Sequence, residues 1–189
     1  MAESGAGLTF LVVPVAAAEA VVRAAVRRFN PHLAYRADLP AEVVIAHVTV
    51  GGPFLSPERV DPSVLERLAA VCGAQPAFDF RLARLEVFAS SGVVYLAPEP
   101  AAPFVALIRR IESCWPEHPI YGGQHPEPVP HVTLATEQHT PEQVAAVRSS
   151  VAPLLPIAAA AREVQLLVVG DRAWRPLGRF PLGSPTSTV

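Results

Sequence analysis

The stretch Pro130-His131-Val132-Thr133-Leu134 decides how this chain is organised, because it repeats a stretch met earlier as His47-Val48-Thr49-Val50. Both copies read His-x-Thr followed by an apolar residue, and their histidines lie 84 positions apart. Random placement of the 6 His and 7 Thr in the chain predicts only about 0.2 such triplets. The same shift carries Ser56-Pro57-Glu58 onto Thr140-Pro141-Glu142, so the sequence indicates an internal duplication.

The alternation of a β-strand explains why each copy suits a reactive site. In an extended strand successive side chains point to opposite faces, so His47 and Thr49 share one face while the two valines share the other. His131 and Thr133 are related in the same way. If the two strands face a common groove, the sequence predicts a cleft lined by two imidazoles and two hydroxyls.

The composition is that of a globular protein. The chain has 189 residues, is 51% apolar and carries a formal net charge of −2. These values suit a hydrophobic core and argue against broad, non-specific binding of nucleic acid. Cys72 and Cys114 lack the paired spacing of a metal or redox motif, so both are predicted to be reduced structural thiols.

The amino-terminal stretch does not have the pattern of a signal peptide or a membrane span. Met1 to Ser4 include no basic residue, and the apolar run 10–18 is interrupted by Pro14. A membrane span needs about 20 apolar residues. We therefore expect a cytoplasmic protein without a membrane partner, and a disordered tail over 183–189.

Hydrophobic periodicity and turn residues predict alternating strands and helices. Predicted strands cover 8–13, 43–50, 78–88, 93–96, 130–135, 160–169 and 173–181. Predicted helices cover 16–29, 56–70, 103–114 and 140–151. Ser56 and Thr140 are predicted as N-caps, and loops are predicted over 31–42 and 116–130.

The order of these elements predicts an α+β fold built from two similar halves. Each half, about 16–97 and 103–181, has the order helix, motif strand, helix, strand, strand. We therefore predict one bilobal domain over 1–182 with pseudo-twofold symmetry. An antiparallel sheet is predicted in each lobe, with helices on the outer faces and the motif strands at the central groove.

The motifs resemble the two-histidine phosphoesterase superfamily, and most closely its bacterial branch of 2′-5′ RNA ligases, also described as RNA 2′,3′-cyclic phosphodiesterases. The resemblance lies in HVTVGGPF (47–54), PIYGG (119–123) and PHVTLA (130–135), and it spans about 8–181. It implies a bilobal fold whose site, between the lobes, needs no metal or cofactor and acts on a phosphoester at a ribose 2′ position. Relatives often carry a basic residue just after the second motif, where this chain has Ala135-Thr136.

Carried over to this sequence, the resemblance implies that His47 and His131 are catalytic and that Thr49 and Thr133 contact the phosphate. Two imidazoles with an ordinary pKa of about 6.5 can supply one neutral base and one protonated acid near neutral pH. By resemblance His131 is the base and His47 the acid, although the sequence itself leaves the two roles open. A zinc site is not predicted, because no Cys or carboxylate lies at ligand spacing from these histidines.

Four further residues are predicted to contact the substrate. Tyr121 and Phe54 lie in glycine-rich loops beside the motif strands, where an aromatic ring can stack on a base. His125 is the loop histidine placed to reach the cleft, and Arg36 is a candidate phosphate ligand. The alternatives are a core position for Phe54, a surface position for His125 and a solvated charge for Arg36.

Repeat, chemistry and resemblance together predict a metal-independent enzyme that hydrolyses a 2′,3′-cyclic phosphate to a 2′-phosphate. The substrate is an RNA end or a small nucleotide, with reversible 2′-5′ RNA ligation as a related activity, and we expect a monomer. Two alternatives stay open at this point. The same site could cut 2′-5′ linkages or an ADP-ribose cyclic phosphate, or the groove could bind RNA ends or nucleotides without catalysis.

Overall fold

The structure is a computed structural model that describes residues 8–136, 139–170 and 174–184. Three sequence predictions fall wholly or partly outside these ranges: the absence of a signal peptide at 1–4, the start of the strand predicted over 173–181 and most of the predicted tail. None of the helices in the described ranges is both long enough and apolar enough to cross a bilayer.

Eight strands in the described residues form one antiparallel sheet. They are β1 (Leu8–Pro14), β2 (His47–Gly51), β3 (Phe78–Val87), β4 (Val94–Glu99), β5 (Val132–Ala135), β6 (Ile157–Ala161), β7 (Glu163–Val169) and β8 (Trp174–Pro181). Their order across the sheet is β6-β3-β4-β5-β2-β1-β7-β8. The two motif strands, β2 and β5, are therefore neighbours at the centre.

The helices cover the sheet in two pairs. The α-helices are α1 (Glu19–Phe29), α2 (Pro62–Gly73), α3 (Ala102–Cys114) and α4 (Pro141–Val151). Short 3-10 helices cover Ala16–Ala18, Pro31–Asp38, Pro57–Arg59, Ile120–Gly123 and Ala152–Leu154. Helix α1 packs on β5 and α4, whereas α3 packs on β2 and α2. Each motif strand is therefore backed by one helix.

The predicted α+β fold is confirmed. The sheet consists of two four-stranded arrays, β6-β3-β4-β5 and β2-β1-β7-β8, which meet through the pair Val48 and Val132. Each array takes strands from both halves of the sequence, so the arrays do not coincide with the halves 16–97 and 103–181. The pseudo-twofold symmetry and the domain limits stay predictions.

The apolar face of both motif strands lies in the hydrophobic core. Val48, Val50, Val132 and Leu134 have no exposed surface. Burial of each such side chain contributes about 1.5–3 kcal/mol relative to exposure. A slip of one residue would turn these side chains out of the core, so burial fixes the register and keeps the four polar motif residues on the opposite face.

The helix after the first motif starts later than predicted. Ser56 makes no side-chain cap and precedes only the 3-10 turn Pro57–Arg59. Helix α2 begins after Asp61, whose carboxylate accepts a hydrogen bond from the Val64 N–H at 3.0 Å. Ser56-Pro57 and Asp61-Pro62 both have the sequence of a helix start. The helix begins at the second pair, because the Asp61 side chain accepts a hydrogen bond from a free backbone amide. Thr140 forms the predicted capping box at the start of α4.

The first motif strand is shorter than predicted. Strand β2 begins at His47 and not at 43, because the amides of Ile45 and Ala46 donate to the carboxylate of Glu19 and not to a neighbouring strand. The preceding segment, predicted as a loop, is largely a 3-10 helix.

Two predictions near the carboxyl end are wrong in part. The strand predicted over 160–169 is two strands, β6 and β7, which are separated at Arg162 and belong to different arrays. Gly183, predicted to start a disordered tail, donates its N–H to the Gln75 carbonyl and accepts from the Ala77 N–H, both at 2.8 Å. Backbone groups alone make this contact, so side-chain patterns could not predict it.

Candidate active site

The two motif strands place four polar side chains on one face of the sheet. Strands β2 and β5 run antiparallel, with the central valines of the motifs opposite each other. Continuing this register sets His47 opposite Thr133, and Thr49 opposite His131. All four side chains are partly exposed. The structure therefore brings together the two imidazoles and two hydroxyls that the sequence predicts at one cleft.

Both imidazoles are oriented in the same way. Nδ1 of His47 lies 2.7 Å from the carbonyl oxygen of Ile45, and Nδ1 of His131 lies 2.7 Å from that of Val129. A carbonyl oxygen only accepts, so Nδ1 carries the hydrogen in both rings. In the neutral rings Nε2 therefore keeps a free lone pair, and it is the nitrogen each motif offers to a substrate.

Three aromatic rings surround His131. The rings of Phe88 and Tyr95 meet it edge-on with centroids 5.0 and 5.4 Å away, and Tyr121 lies nearly parallel to it at 6.5 Å. Burial lowers the pKa of His131, although the hydrogen bond to Val129 opposes this effect. The aromatic enclosure therefore favours the neutral imidazole.

Trp174 and Arg36 lie beside the other imidazole. The Trp174 ring meets His47 edge-on at 5.3 Å, and the Arg36 guanidinium carbon lies 5.2 Å from the Trp174 centroid. Burial, together with the smaller effects of the charges of Arg36 and the second histidine, lowers the pKa of His47 to about 4. The backbone hydrogen bond and Glu19 act in the opposite direction. His47 is therefore neutral at pH 7 in this structure.

Two cavities meet at the motif strands. A cavity of about 450 Å³ opens beside His131, and one of about 40 Å³ opens beside His47. The walls of the larger include Phe88, Ser90, Ser91, Tyr121, Gln124 and His125. Thr133 and Thr136 line both cavities, so the two form one cleft. Its size lies within the usual range for small-molecule sites.

The structure separates the four residues predicted to contact the substrate. Tyr121 and His125 line the larger cavity with ring centroids 6.0 Å apart, and Arg36 lines the smaller one. Phe54 lies in the core, 7% exposed, with its ring 5.2 Å from that of Trp115. The structure therefore corrects the prediction for Phe54, whose buried ring offers no face to a base.

Tyr121 has a left-handed backbone conformation that residues other than glycine rarely adopt. Its φ is 52°, and its N–H donates to the Gly52 carbonyl at 2.7 Å. Burial raises the pKa of the Tyr121 phenol, and a hydrogen bond with Thr49 partly offsets this effect. Local strain of this kind is common at functional sites, and here it fixes a ring against the second histidine.

Comparison with known proteins identifies the family. The family model described as the 2′-5′ RNA ligase superfamily matches residues 13–173. The chain belongs to the 2′-5′ RNA ligase superfamily. The resemblance drawn from the two His-x-Thr motifs is confirmed, since this superfamily is one of two-histidine phosphoesterases.

Solved structures share the fold of this member of the 2′-5′ RNA ligase superfamily. The protein TT0787 of Thermus thermophilus has a TM-score of 0.61 and 20% identity, with 94% of this chain and 98% of that one covered. E. coli LigT complexed with 3′-AMP has a TM-score of 0.58 and 21% identity, with 93% and 98% covered. At such identities the likeness shows the fold alone. A comparison with curated protein sequences finds no match.

The sequence of this superfamily member does not predict the aromatic rings that surround the two motif histidines. They are Phe88, Tyr95 and Trp174. Tyr95 lies opposite Thr133 on the neighbouring strand, which puts its ring on the face of the motif residues. The pairing of β4 with β5 is a long-range contact that the spacing of residues along the chain does not encode.

The acidic, thiol and imidazole side chains of the described residues do not cluster around the cleft in the manner of a metal site. Within 8–136, 139–170 and 174–184, no group of three or more His, Cys, Asp and Glu side chains is placed to hold a metal ion. The groups with chemical reach at the cleft are the two motif imidazoles, the imidazole of His125, the carboxylate of Glu127, hydroxyls and the guanidinium of Arg36. Such a set can transfer protons and bind an anion.

Proposed function

We propose that this protein is a metal-independent cyclic phosphodiesterase that opens a 2′,3′-cyclic phosphate, on an RNA end or a small nucleotide, to a 2′-phosphate. The observation that carries the proposal is the matched pair of imidazoles. Both hold Nδ1 on a backbone carbonyl at 2.7 Å and share one sheet face with two threonines. Membership of the 2′-5′ RNA ligase superfamily supports phosphoester chemistry at this cleft.

In the proposed reaction, water attacks phosphorus and the bond from phosphorus to O3′ breaks. The reactive form has His131 neutral and His47 protonated: Nε2 of His131 takes a proton from the attacking water, and the His47 imidazolium gives its Nε2 proton to O3′ as it leaves. The hydroxyls of Thr49 and Thr133 bind the non-bridging oxygens. The products are a 2′-phosphate and a free 3′-hydroxyl. A 5′-hydroxyl in place of water would give the 2′-5′ linkage of a ligase reaction.

The rest of the substrate is proposed to occupy the larger cavity. The Tyr121 and His125 rings line it, and stacking of a base on an aromatic ring contributes about 1–3 kcal/mol. Arg36 lies beside His47, where a guanidinium can face the phosphate. In the solved structures similar to this chain, E. coli LigT is complexed with 3′-AMP, NADP+ or ATP, which supports nucleotides as the ligand class.

A substrate panel tests the proposed reaction. A nucleoside 2′,3′-cyclic phosphate, a 2′-5′-linked dinucleotide and an ADP-ribose cyclic phosphate are incubated with the protein, and products are identified by phosphorus NMR. We expect turnover of the first substrate, with the 2′-phosphate as its product. A 3′-phosphate product, or turnover of only another substrate, would replace the proposed reaction, and binding without turnover of any would indicate a nucleotide-binding module.

A further inference from the structure

A largely buried carboxylate reaches His47 through one peptide group. Glu19, on α1, has a side chain that is 18% exposed, and its Oε2 accepts a hydrogen bond from the Ala46 N–H at 2.8 Å. The same peptide group carries the Ile45 carbonyl, which accepts from Nδ1–H of His47 at 2.7 Å. Carboxylate, peptide and imidazole therefore form one continuous chain of hydrogen bonds.

A peptide group can transmit the influence of a carboxylate. Its C=O and N–H share delocalised electrons, so a charge-assisted bond to the N–H makes the oxygen a stronger acceptor. A stronger acceptor at Nδ1–H fixes the tautomer and stabilises the imidazolium when Nε2 takes a proton. In a Ser-His-Asp triad the carboxylate does this by direct contact. Here one peptide group stands between the two partners.

The second histidine cannot make this connection. Nδ1 of His131 bonds to the Val129 carbonyl, and the other end of that peptide group is Pro130, which has no N–H. Helix α3 carries a comparable acid, because Glu112 accepts from the Ile120 N–H at 3.1 Å. That amide belongs to a different part of the loop. The two imidazoles therefore look alike but differ in what supports their charge.

Arg23 fixes the carboxylate in place. Its Nε donates to Oε1 of Glu19 at 2.6 Å, and its side chain is 16% exposed. Its two terminal nitrogens donate to the backbone carbonyls of Ala37, Leu39, Pro40 and Val43 at 2.7–3.2 Å. A buried ion pair is stabilising only when its remaining hydrogen-bonding groups are satisfied, which is the case here. Glu19 is therefore held in the orientation that faces the Ala46 amide.

We propose that Glu19 is a positioning residue that, through the Ile45–Ala46 peptide, holds the Nδ1–H tautomer of His47 and stabilises the proton that Nε2 of this ring carries during proton transfer. The inference rests on the proposed function, because it assigns roles within the same site. Glu19 favours protonation of His47. Arg36 and His131, the other charged or titratable groups that face this ring, oppose it. His131 has no such support, because its peptide group ends at Pro130 and has no N–H.

Substitution of Glu19 by Gln tests the proposal, because it removes the charge and keeps the size. Glu112→Gln is the matched control, since it also breaks an acid–arginine pair that binds a loop amide. NMR titration of the histidine rings and kcat/KM for a 2′,3′-cyclic nucleotide are measured for both. In Glu19→Gln we expect the pKa of His47 to fall by about one unit and kcat/KM to fall about tenfold. The pKa of His131 should stay unchanged, and the control should alter neither quantity.

Several results would overturn the proposal. An unchanged His47 pKa in folded Glu19→Gln would do so, as would equal losses in both variants. If the variant does not fold, the wild-type protein gives a second readout, because the Ala46 amide proton should shift with the same midpoint as the His47 ring. An Ala46 resonance that does not follow the ring contradicts the proposal. If the wild type turns over no substrate while Glu19→Gln still changes the His47 titration, the proposed function fails and the coupling stands.

Discussion

Acidification should destabilise the fold through His47. The ring is half-buried against Trp174, and its pKa of about 4 in the folded protein lies below the 6.5 of an unperturbed histidine. Between these values the unfolded chain binds a proton that the folded protein does not. The stabilisation is therefore complete above about pH 6.5, is lost progressively as the pH falls, and is gone below about pH 4.

The size of the effect follows from linkage. A pKa difference of about 2.5 corresponds to about 3.4 kcal/mol in full. About 2 kcal/mol of this is lost between pH 7 and pH 5. His131, whose pKa is also lowered, acts in the same direction. Since domains are stable by about 5–15 kcal/mol, the loss through His47 alone should be easy to measure.

Urea unfolding of the wild type and of His47→Gln, at pH values from about 7 to about 5, measures the effect. Carboxylates and the other histidines contribute to both curves, so they cancel in the difference. The free energy of unfolding should fall by about 2 kcal/mol more in the wild type than in the variant over this range. Parallel curves for the two proteins would refute the reasoning, because His47 would then titrate alike in the folded and unfolded states.

The other predictions concern the cleft and one helix. The pKa values of both motif histidines are lowered, so the pair carrying one proton should become more populated below pH 6.5. We therefore expect kcat/KM for a cyclic nucleotide to rise as the pH falls from about 7.5 to about 5.5. A kcat/KM that rises with increasing pH would contradict this prediction. Tyr121→Leu should raise KM about tenfold with little change in kcat, whereas Phe54→Leu should lower stability and leave KM unchanged, as steady-state kinetics and urea unfolding would show. Asp61→Ala should lower the free energy of unfolding and Ser56→Ala should change it little, and the reverse order would refute the assignment of the helix start.

The sequence predicts the parts of this protein that depend on local periodicity. The alternation of His47 with Thr49 and of His131 with Thr133 fixes which side chains share a face, and the structure has both pairs on one side of the sheet. Thr140 caps α4 as predicted, because its capping box needs only the residues of one turn. Helix caps, turns and the alternation of side chains along a strand depend on neighbouring residues, so a single sequence is enough to predict them.

The features of the fold and the site that the sequence does not predict depend on contacts between distant segments. The strand pairs that put Tyr95 beside His131, and that divide β6 from β7, join residues far apart in the sequence. Phe54 follows a glycine-rich turn that suggests a loop, yet its ring packs on Trp115 in the core. Glu19 lies among alanines at the start of a helix, and only the fold shows that its carboxylate reaches the amides before His47.

Turnover of a nucleoside 2′,3′-cyclic phosphate in the presence of a metal chelator shows whether the two motif histidines catalyse the reaction without a metal. The wild type, His47→Asn and His131→Asn are compared, with circular dichroism to confirm that each protein is folded. The wild type should stay active with the chelator, and each variant should lose at least about 100-fold in rate. Activity retained in either folded variant, or wild-type activity abolished by the chelator, would contradict this expectation.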